Sequence, residues 1–247
     1  MILWIKNILF WIAFVIITLM YFVLMMASGV LPARYRHYVG VSWVRCFIWL
    51  LKVCIGLDFR VEGRENIPNE PSIICCKHQS GYETLALQLI FPHQVFVMKK
   101  ELLYIPIIGL GLMLMSPIAI DRSQRSKATK QILEQGKVRK EKGFWISIFP
   151  EGTRTKPGEI GQYKKGAARM AQALQMNIVP VAVNSGKFWP RNSFLKYPGT
   201  ITFAIMPPIS WNAGTVEEIT DQYAKTIETA QRAIEKQTNT YEQAQTA

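Results

Sequence analysis

Ile73-Ile74-Cys75-Cys76-Lys77-His78-Gln79-Ser80-Gly81-Tyr82-Glu83 is the stretch around which the rest of the chain is organised. Its first four residues follow Pro71-Ser72 and are uniformly apolar, which predicts a short buried strand ending just before His78. Helical periodicity then sets in, with Glu83, Leu85, Leu87 and Ile90 downstream of Ser80, a favoured N-cap residue. His78 is therefore expected in a strand-to-helix turn and Glu83 in the first helical turn. At that separation the carboxylate orients the imidazole and stabilises its charged form, which makes a histidine an effective general base. Ser80-x-x-Glu83 also fits a capping box, in which the glutamate satisfies a backbone N–H and contributes about 1 kcal/mol. The two roles do not exclude each other.

A second strand-to-turn junction lies downstream. Phe144-Trp-Ile-Ser-Ile-Phe-Pro150 reads as a buried strand running into Glu151-Gly152-Thr153-Arg154 and then a Lys/Pro/Gly loop. A glycine lets backbone approach an anion, a threonine supplies a hydroxyl, and an arginine offers a planar fork that matches phosphate oxygens. The combination reads as a phosphate site; an ordinary glycine turn with a surface arginine is the alternative.

Between and beyond these junctions strands alternate with helices. Strands are expected at 59–62, 73–76, 95–98, 118–120, 145–149, 179–183 and 201–205, with helices between several of them. This alternation predicts an α/β domain, residues 58–247, with a largely parallel sheet flanked by helices. Ligands in such sheets gather at the carboxyl ends of strands, where His78, Arg122, Glu151 and Arg154 all fall.

Residues 1–57 read as a two-helix membrane anchor. No charge occurs from 7 to 33, and 8–27 alone supplies the roughly 20 apolar residues that a bilayer span requires. A signal peptide is the competing reading, but the apolar core is too long for one and a second hydrophobic segment, 38–57, follows. In that segment Arg45 and Lys52 share one helical face with Ser42, while Val44, Phe47, Ile48, Leu51 and Ile55 occupy the rest, so the helix suits the interface plane. Arg34, Arg36, Arg45 and Lys52 follow the first helix against Lys6 before it, which puts the 58–247 domain on the cytoplasmic side. Downstream, the greasy segment 102–115 with Gly109 and Gly111 suits either a core helix or the wall of an acyl-chain groove. The lysine-rich helix 126–142 suits a solvated face, or less commonly a docking surface for an acidic carrier.

The formal charge of +12 in 247 residues points to anionic partners: phospholipid surfaces, phosphorylated substrates, coenzyme A or acidic carrier proteins. Nucleic acid is not expected, because zinc-finger spacing and RNP signatures are both missing. Cys46, Cys54, Cys75 and Cys76 have neither a disulfide-framework nor a metal-ligand spacing, so no metal is expected. The sequence also lacks a Gly-x-Ser-x-Gly elbow and a Walker A loop.

His78-x4-Glu83, then Ile120-Asp121-Arg122, then Phe149-Pro150-Glu151-Gly152-Thr153-Arg154, then Ile178-Val179-Pro180-Val181-Ala182-Val183 resemble, in order and spacing, the four blocks of the membrane glycerophospholipid acyltransferases. The likeness spans about residues 58 to 210 and is greatest to the bacterial 1-acyl-sn-glycerol-3-phosphate (lysophosphatidic acid) acyltransferase family. The family motif is Asn-His-x4-Asp; here Lys77 precedes the histidine and Glu83 replaces the aspartate. The resemblance implies that His78, oriented by Glu83, deprotonates the sn-2 hydroxyl of lysophosphatidic acid as it attacks an acyl thioester. It further implies that Arg122, Gly152, Thr153, Arg154 and Lys165 hold the substrate phosphate, while Glu151 orders the loop or contacts glycerol. Expected co-substrates are acyl-CoA or acyl-carrier protein, with no other cofactor, in a bacterial inner membrane with a monotopic anchor. Glycerol 3-phosphate or another lysophospholipid as acceptor, or a non-catalytic lipid-binding protein, are the competing readings.

Overall fold

The computed structural model describes the backbone of residues 1–246 except 106–107, 116 and 121–124, and the side chains of these except 33–34, 108, 125–130 and 239–246. Arg122 therefore lies outside the described residues. Two long helices open the chain, α1 (Ile2–Ala27) and α2 (Ala33–Ile55), followed by β1 (Leu57–Glu62), β2 (Ile73–Cys76) and α3 (Tyr82–Ile90). Next come β3 (Gln94–Lys99), α4 (Ile108–Leu114), β4 (Ile118–Ile120), α5 (Arg125–Glu141) and β5 (Trp145–Ile148). The chain closes with α6 (Gly166–Leu174), β6 (Ile178–Val183), α7 (Ser185–Phe188), β7 (Gly199–Ile205) and α8 (Val216–Thr246).

The seven strands form one sheet in the order β1-β7-β6-β2-β5-β3-β4. Every pairing is parallel except β6 with β7. All seven expected strands are present, with ends shifted by at most two residues. Complete burial of β2 and β6 explains why they read as unbroken apolar runs: helices cover both faces of their part of the sheet. One face packs against α2 and α3 through Phe47, Leu51, Leu57, Ile74, Leu87, Val179 and Phe203. The other packs against α6 and α8 through Ile73, Ile146, Met170, Ile178, Tyr223 and Ile227.

α2 differs from expectation at its end. It stops at Ile55 because Gly56 is left-handed (φ 82°, ψ 26°) and its N–H closes the last turn onto the carbonyls of Leu51 and Lys52. Leu57, expected in the helix, begins β1 opposite Gly199 and is fully buried. The expected apolar face is the one that packs: Val44, Phe47, Ile48, Leu51 and Ile55 are all buried, whereas Lys52 pairs with Asp58 at 2.7 Å.

The helical hairpin lies along the domain. Near the start of α1, Asn7 is fully buried; its Oδ1 accepts the Lys196 N–H at 2.7 Å and its Nδ2 donates to the Lys196 carbonyl at 3.1 Å. The Lys196 ammonium lies against the rings of Trp11 and Trp189, at 5.1 and 4.7 Å from their centroids. Burial lowers this lysine's pKa to about 8. Toward the other end of the hairpin, His37 packs edge-on against His93 with ring centroids 4.3 Å apart. α1 turns Ile8, Leu9, Ile12, Ile16, Leu19 and Val23 outward, a continuous apolar face on the side away from the sheet.

Asn7→Ala strands a buried donor and acceptor of Lys196. We expect it to destabilise the detergent-solubilised protein by about 1–3 kcal/mol, read as a lowered melting temperature. An unchanged melt would mean that α1 is not docked on the domain.

Candidate active site

The three central strands β6, β2 and β5 end side by side, and each delivers a piece of the site. The Lys77 N–H still donates to the Val181 carbonyl at 2.9 Å, continuing the ladder, and the chain then leaves the sheet at His78. β5 runs into Phe149, Pro150 and Glu151, and β6 into Asn184 and Ser185.

The Glu83 carboxylate is the hub. It is fully buried. Its Oε1 lies 3.1 Å from His78 Nδ1 and accepts the backbone N–H groups of Gln79 (2.5 Å) and Ser80 (2.7 Å). Its Oε2 accepts the hydroxyls of Ser80 (2.5 Å) and Ser185 (2.8 Å). Burial by itself raises this carboxyl, but the hydrogen bonds from His78 and Ser80 and the proximity of His78 outweigh it and hold the pKa below its ordinary 4.5. Glu83 thus fills both roles read from the sequence, since it bonds the Ser80 N–H as a capping box requires and also reaches the imidazole. The extra methylene relative to aspartate is accommodated. Helix α3 itself begins at Tyr82, whose N–H is received by Ser80 Oγ at 2.9 Å.

An ionised Glu83 can only accept, so the contact places a proton on His78 Nδ1 and leaves Nε2 as the basic nitrogen. The ring stacks on Phe149 with centroids 4.0 Å apart and planes 16° from parallel. Its backbone is clamped as well: its N–H donates to Glu151 Oε2 at 2.9 Å, and its carbonyl accepts the Thr155 N–H (2.8 Å) and hydroxyl (3.2 Å). The side chain remains 15% exposed, enough for one face to meet a substrate.

The other sequence candidates divide. Arg154 arrives over the same loop, with Nη2 3.6 Å from the position a Cβ on Gly81 would occupy; Trp189 stands equally close. A side chain larger than a methyl at position 81 would push the guanidinium away. Gly152 is left-handed (φ 68°) and its N–H closes a turn onto the Phe149 carbonyl at 3.0 Å, so its part is to shape the loop. Thr153 is exposed. Glu151 is buried and its carboxylate accepts from the His78 N–H, the Lys77 ammonium and the Thr155 hydroxyl, contacts that tie the loop to the His78 turn. Lys165 departs from expectation. It pairs with Glu217 at the start of α8, because α6 begins at Gly166 and sends the preceding lysine toward that helix.

Ser185, Phe149 and Thr155 were not singled out from the sequence. Ser185 carried one usable signal, its place immediately beyond a predicted strand end. Among the described residues there is no group of three or more His, Cys, Asp or Glu able to hold a metal ion.

An apolar cavity of about 220 Å³ opens between the hairpin and the sheet. Phe22 and Met25 of α1, Gly40 and Trp43 of α2, Phe96 of β3, and Gly111 and Leu112 of α4 contribute to its wall. Gly111, Leu112 and Met115 of the 102–115 segment thus line the cavity. Phe96 stacks on Phe149 (6.0 Å, 13°), which stacks on His78, so the cavity and the base share one aromatic column.

A half-buried histidine paired with a buried carboxylate stands at the strand ends of a mainly parallel sheet, beside an arginine and near an apolar cavity. Residues 58–184 match the acyltransferase family model. The 1-acyl-sn-glycerol-3-phosphate acyltransferase of Pseudomonas aeruginosa is 43% identical over 209 residues, covering 82% of this chain and 80% of that protein. The enzyme of the same name from Saccharomyces cerevisiae is 36% identical over 156 residues, 61% of this chain and 50% of that one. In fold the chain is similar to the 1-acyl-sn-glycerophosphate acyltransferase PlsC of Thermotoga maritima, with a TM-score of 0.78 over 94% of this chain and 98% of that one, at 21% identity. The chain belongs to the acyltransferase family and is an acyltransferase enzyme.

Because the folded pKa of Glu83 lies below 4.5, its ionised form stabilises the fold at every pH above 4.5, and that contribution is lost as acidification carries the pH through the folded value. Glu83→Gln is therefore expected to cost about 1–3 kcal/mol at pH 7. The deficit relative to wild type should shrink as the pH falls below 4.5. Denaturant titrations of both proteins at pH 7 and at acidic pH measure the difference; a gap that does not depend on pH would mean that Glu83 is not ionised in the fold.

Proposed function

We propose that the chain transfers an acyl group from a thioester to the sn-2 hydroxyl of lysophosphatidic acid, producing phosphatidic acid for phospholipid synthesis. The observation that carries this reading is the imidazole of His78, fixed by Glu83 and Phe149, with the Arg154 guanidinium over the same turn. His78 Nε2 takes the hydroxyl proton as the oxygen attacks the thioester carbonyl. The tetrahedral intermediate collapses with loss of thiolate, and the imidazolium returns the proton to that sulfur. Glu83 offsets the positive charge held by the ring between the two transfers. Arg154 binds the acceptor's phosphate, and positioning of the hydroxyl follows from that grip.

The cavity supplies the place for the acyl chain of the donor, acyl-CoA or acyl-carrier protein. It is walled by the anchor as well as the domain, so the chain enters from the lipid side. The segments Ile2–Val30 and Tyr35–Ile55 are long and apolar enough to cross a bilayer. The contacts of Asn7 with Lys196 and of His37 with His93 instead favour a hairpin lying in one leaflet with the domain against it. The charge bias of the sequence supports a position on the cytoplasmic side, which we assign to a bacterial inner membrane.

The test is acyl transfer from labelled acyl-CoA to lysophosphatidic acid in membranes of a host depleted of its own activity, with glycerol 3-phosphate as the competing acceptor. Wild type should form phosphatidic acid, and His78→Ala should lose about 10²–10⁴ in kcat. A folded wild type that acylates only glycerol 3-phosphate would overturn the choice of acceptor. The Cβ direction of Gly111 opens into free space beside the cavity it lines. Gly111→Leu is accordingly expected to shift preference to shorter acyl donors, measured as kcat/KM across a chain-length series.

A further inference from the structure

Lys77 directly precedes the base, yet its side chain is entirely buried. Its Nζ donates to Glu228 Oε1 at 2.6 Å, to Glu151 Oε1 at 3.2 Å and to the Glu159 carbonyl at 3.2 Å. Three acceptors for three N–H donors saturate the ammonium. A cation taken out of water in this way is tolerable only with such partners.

Contacts lead outward from it in two directions. Glu151 carries its other oxygen to the His78 N–H, and through Oε1 it receives the hydroxyl of Thr155, the residue that holds the His78 carbonyl. Glu228 belongs to α8 and also accepts the Tyr163 hydroxyl at 2.8 Å. Burial and Glu228 push that phenol upward, which keeps it a donor. The ammonium thus bridges the carboxylate that fixes the base's backbone and a carboxylate from the C-terminal helix. Without it, two buried carboxylates face each other uncompensated. A neutral asparagine, as in the family motif, could not balance both, so Lys77 and Glu228 form a matched pair.

We propose that Lys77, held by Glu228 of α8, is a positioning residue: its ammonium keeps Glu151 aimed at the His78 backbone and so sets where the imidazole meets Glu83 and the substrate hydroxyl. This rests on the reading of His78 as the base. Lys77 touches no reacting atom. Its influence is on orientation, so its loss should appear in turnover rather than in substrate affinity.

The experiment uses the full chain in detergent as wild type, Lys77→Met, Glu228→Gln and the double variant. It measures kcat, KM for donor and acceptor, melting temperature, and the nitrogen NMR spectrum of the three histidines. Lys77→Met is expected to lose about 100-fold in kcat, as for a base displaced by about an ångström, with both KM values within about threefold. The Nδ1-protonated signature of His78 should fade with it. Adding Glu228→Gln removes the surplus charge and should restore about tenfold of the lost rate together with that signature. Wild-type kcat in Lys77→Met overturns the proposal, as does a double variant that melts like wild type yet recovers nothing. Should Lys77→Met fail to fold, Glu228→Gln alone decides: a fall of about threefold or more in kcat at unchanged KM and melting temperature supports the coupling, and an unchanged kcat overturns it. If wild type transfers no acyl group, the functional reading fails separately, and the histidine spectra still decide whether Lys77 positions His78.

Discussion

A carboxylate taken out of water survives as an anion only where donors replace its hydration, and for Glu83 those donors come from two places in the chain, the turn after β2 that holds His78 and the end of β6. The turn after β2 supplies two N–H groups and the Ser80 hydroxyl, the end of β6 supplies Ser185, and His78 supplies its Nδ1 proton. The convergence depends on β6 and β2 being neighbours in the sheet. That pairing in turn depends on strands apolar enough to be buried on both faces. The imidazole of His78 is therefore tied to the core through a single hydrogen-bonded anion.

The same economy governs the loop after β5. Glu151 and Thr155 grip the His78 backbone from the far side, Phe149 supports the ring, and Arg154 closes over the turn. A histidine held at its ring, N–H and carbonyl keeps little orientational freedom. The anchor takes part in this arrangement. α1 and α2 wall the apolar cavity and share the core beneath it, so the two apolar N-terminal helices and the cavity belong to one structure.

Much of this was legible in the residues. The seven strands announced themselves as short apolar runs between turn residues, and the strand-to-helix turn at His78 was read from apolar burial on one side and helical periodicity on the other. The helix stop at Gly56 is masked in the sequence, because apolar residues flank it on both sides, Ile55 ending α2 and Leu57 beginning β1. Lys165 was misdirected for a different reason: its neighbours in sequence belong to the site loop, but the start of α6 turns its side chain to Glu217. Ser185 and Lys77 look like ordinary loop residues until the sheet is assembled.

What the sequence determined by itself is what local patterns encode: short apolar runs and period-3.6 burial, turn residues, an apolar N-terminus, and the placing of a carboxylate five residues beyond His78. These depend on neighbours within a few residues, whose geometry the backbone dictates. Tertiary structure alone decided which partners the buried polar and charged groups find. Lys77 meets Glu228 across 151 residues of chain and Asn7 meets Lys196 across 189. Such contacts follow from the strand order and from helix packing, and the cost of burying each polar group selects, among all folded arrangements, the one that satisfies it.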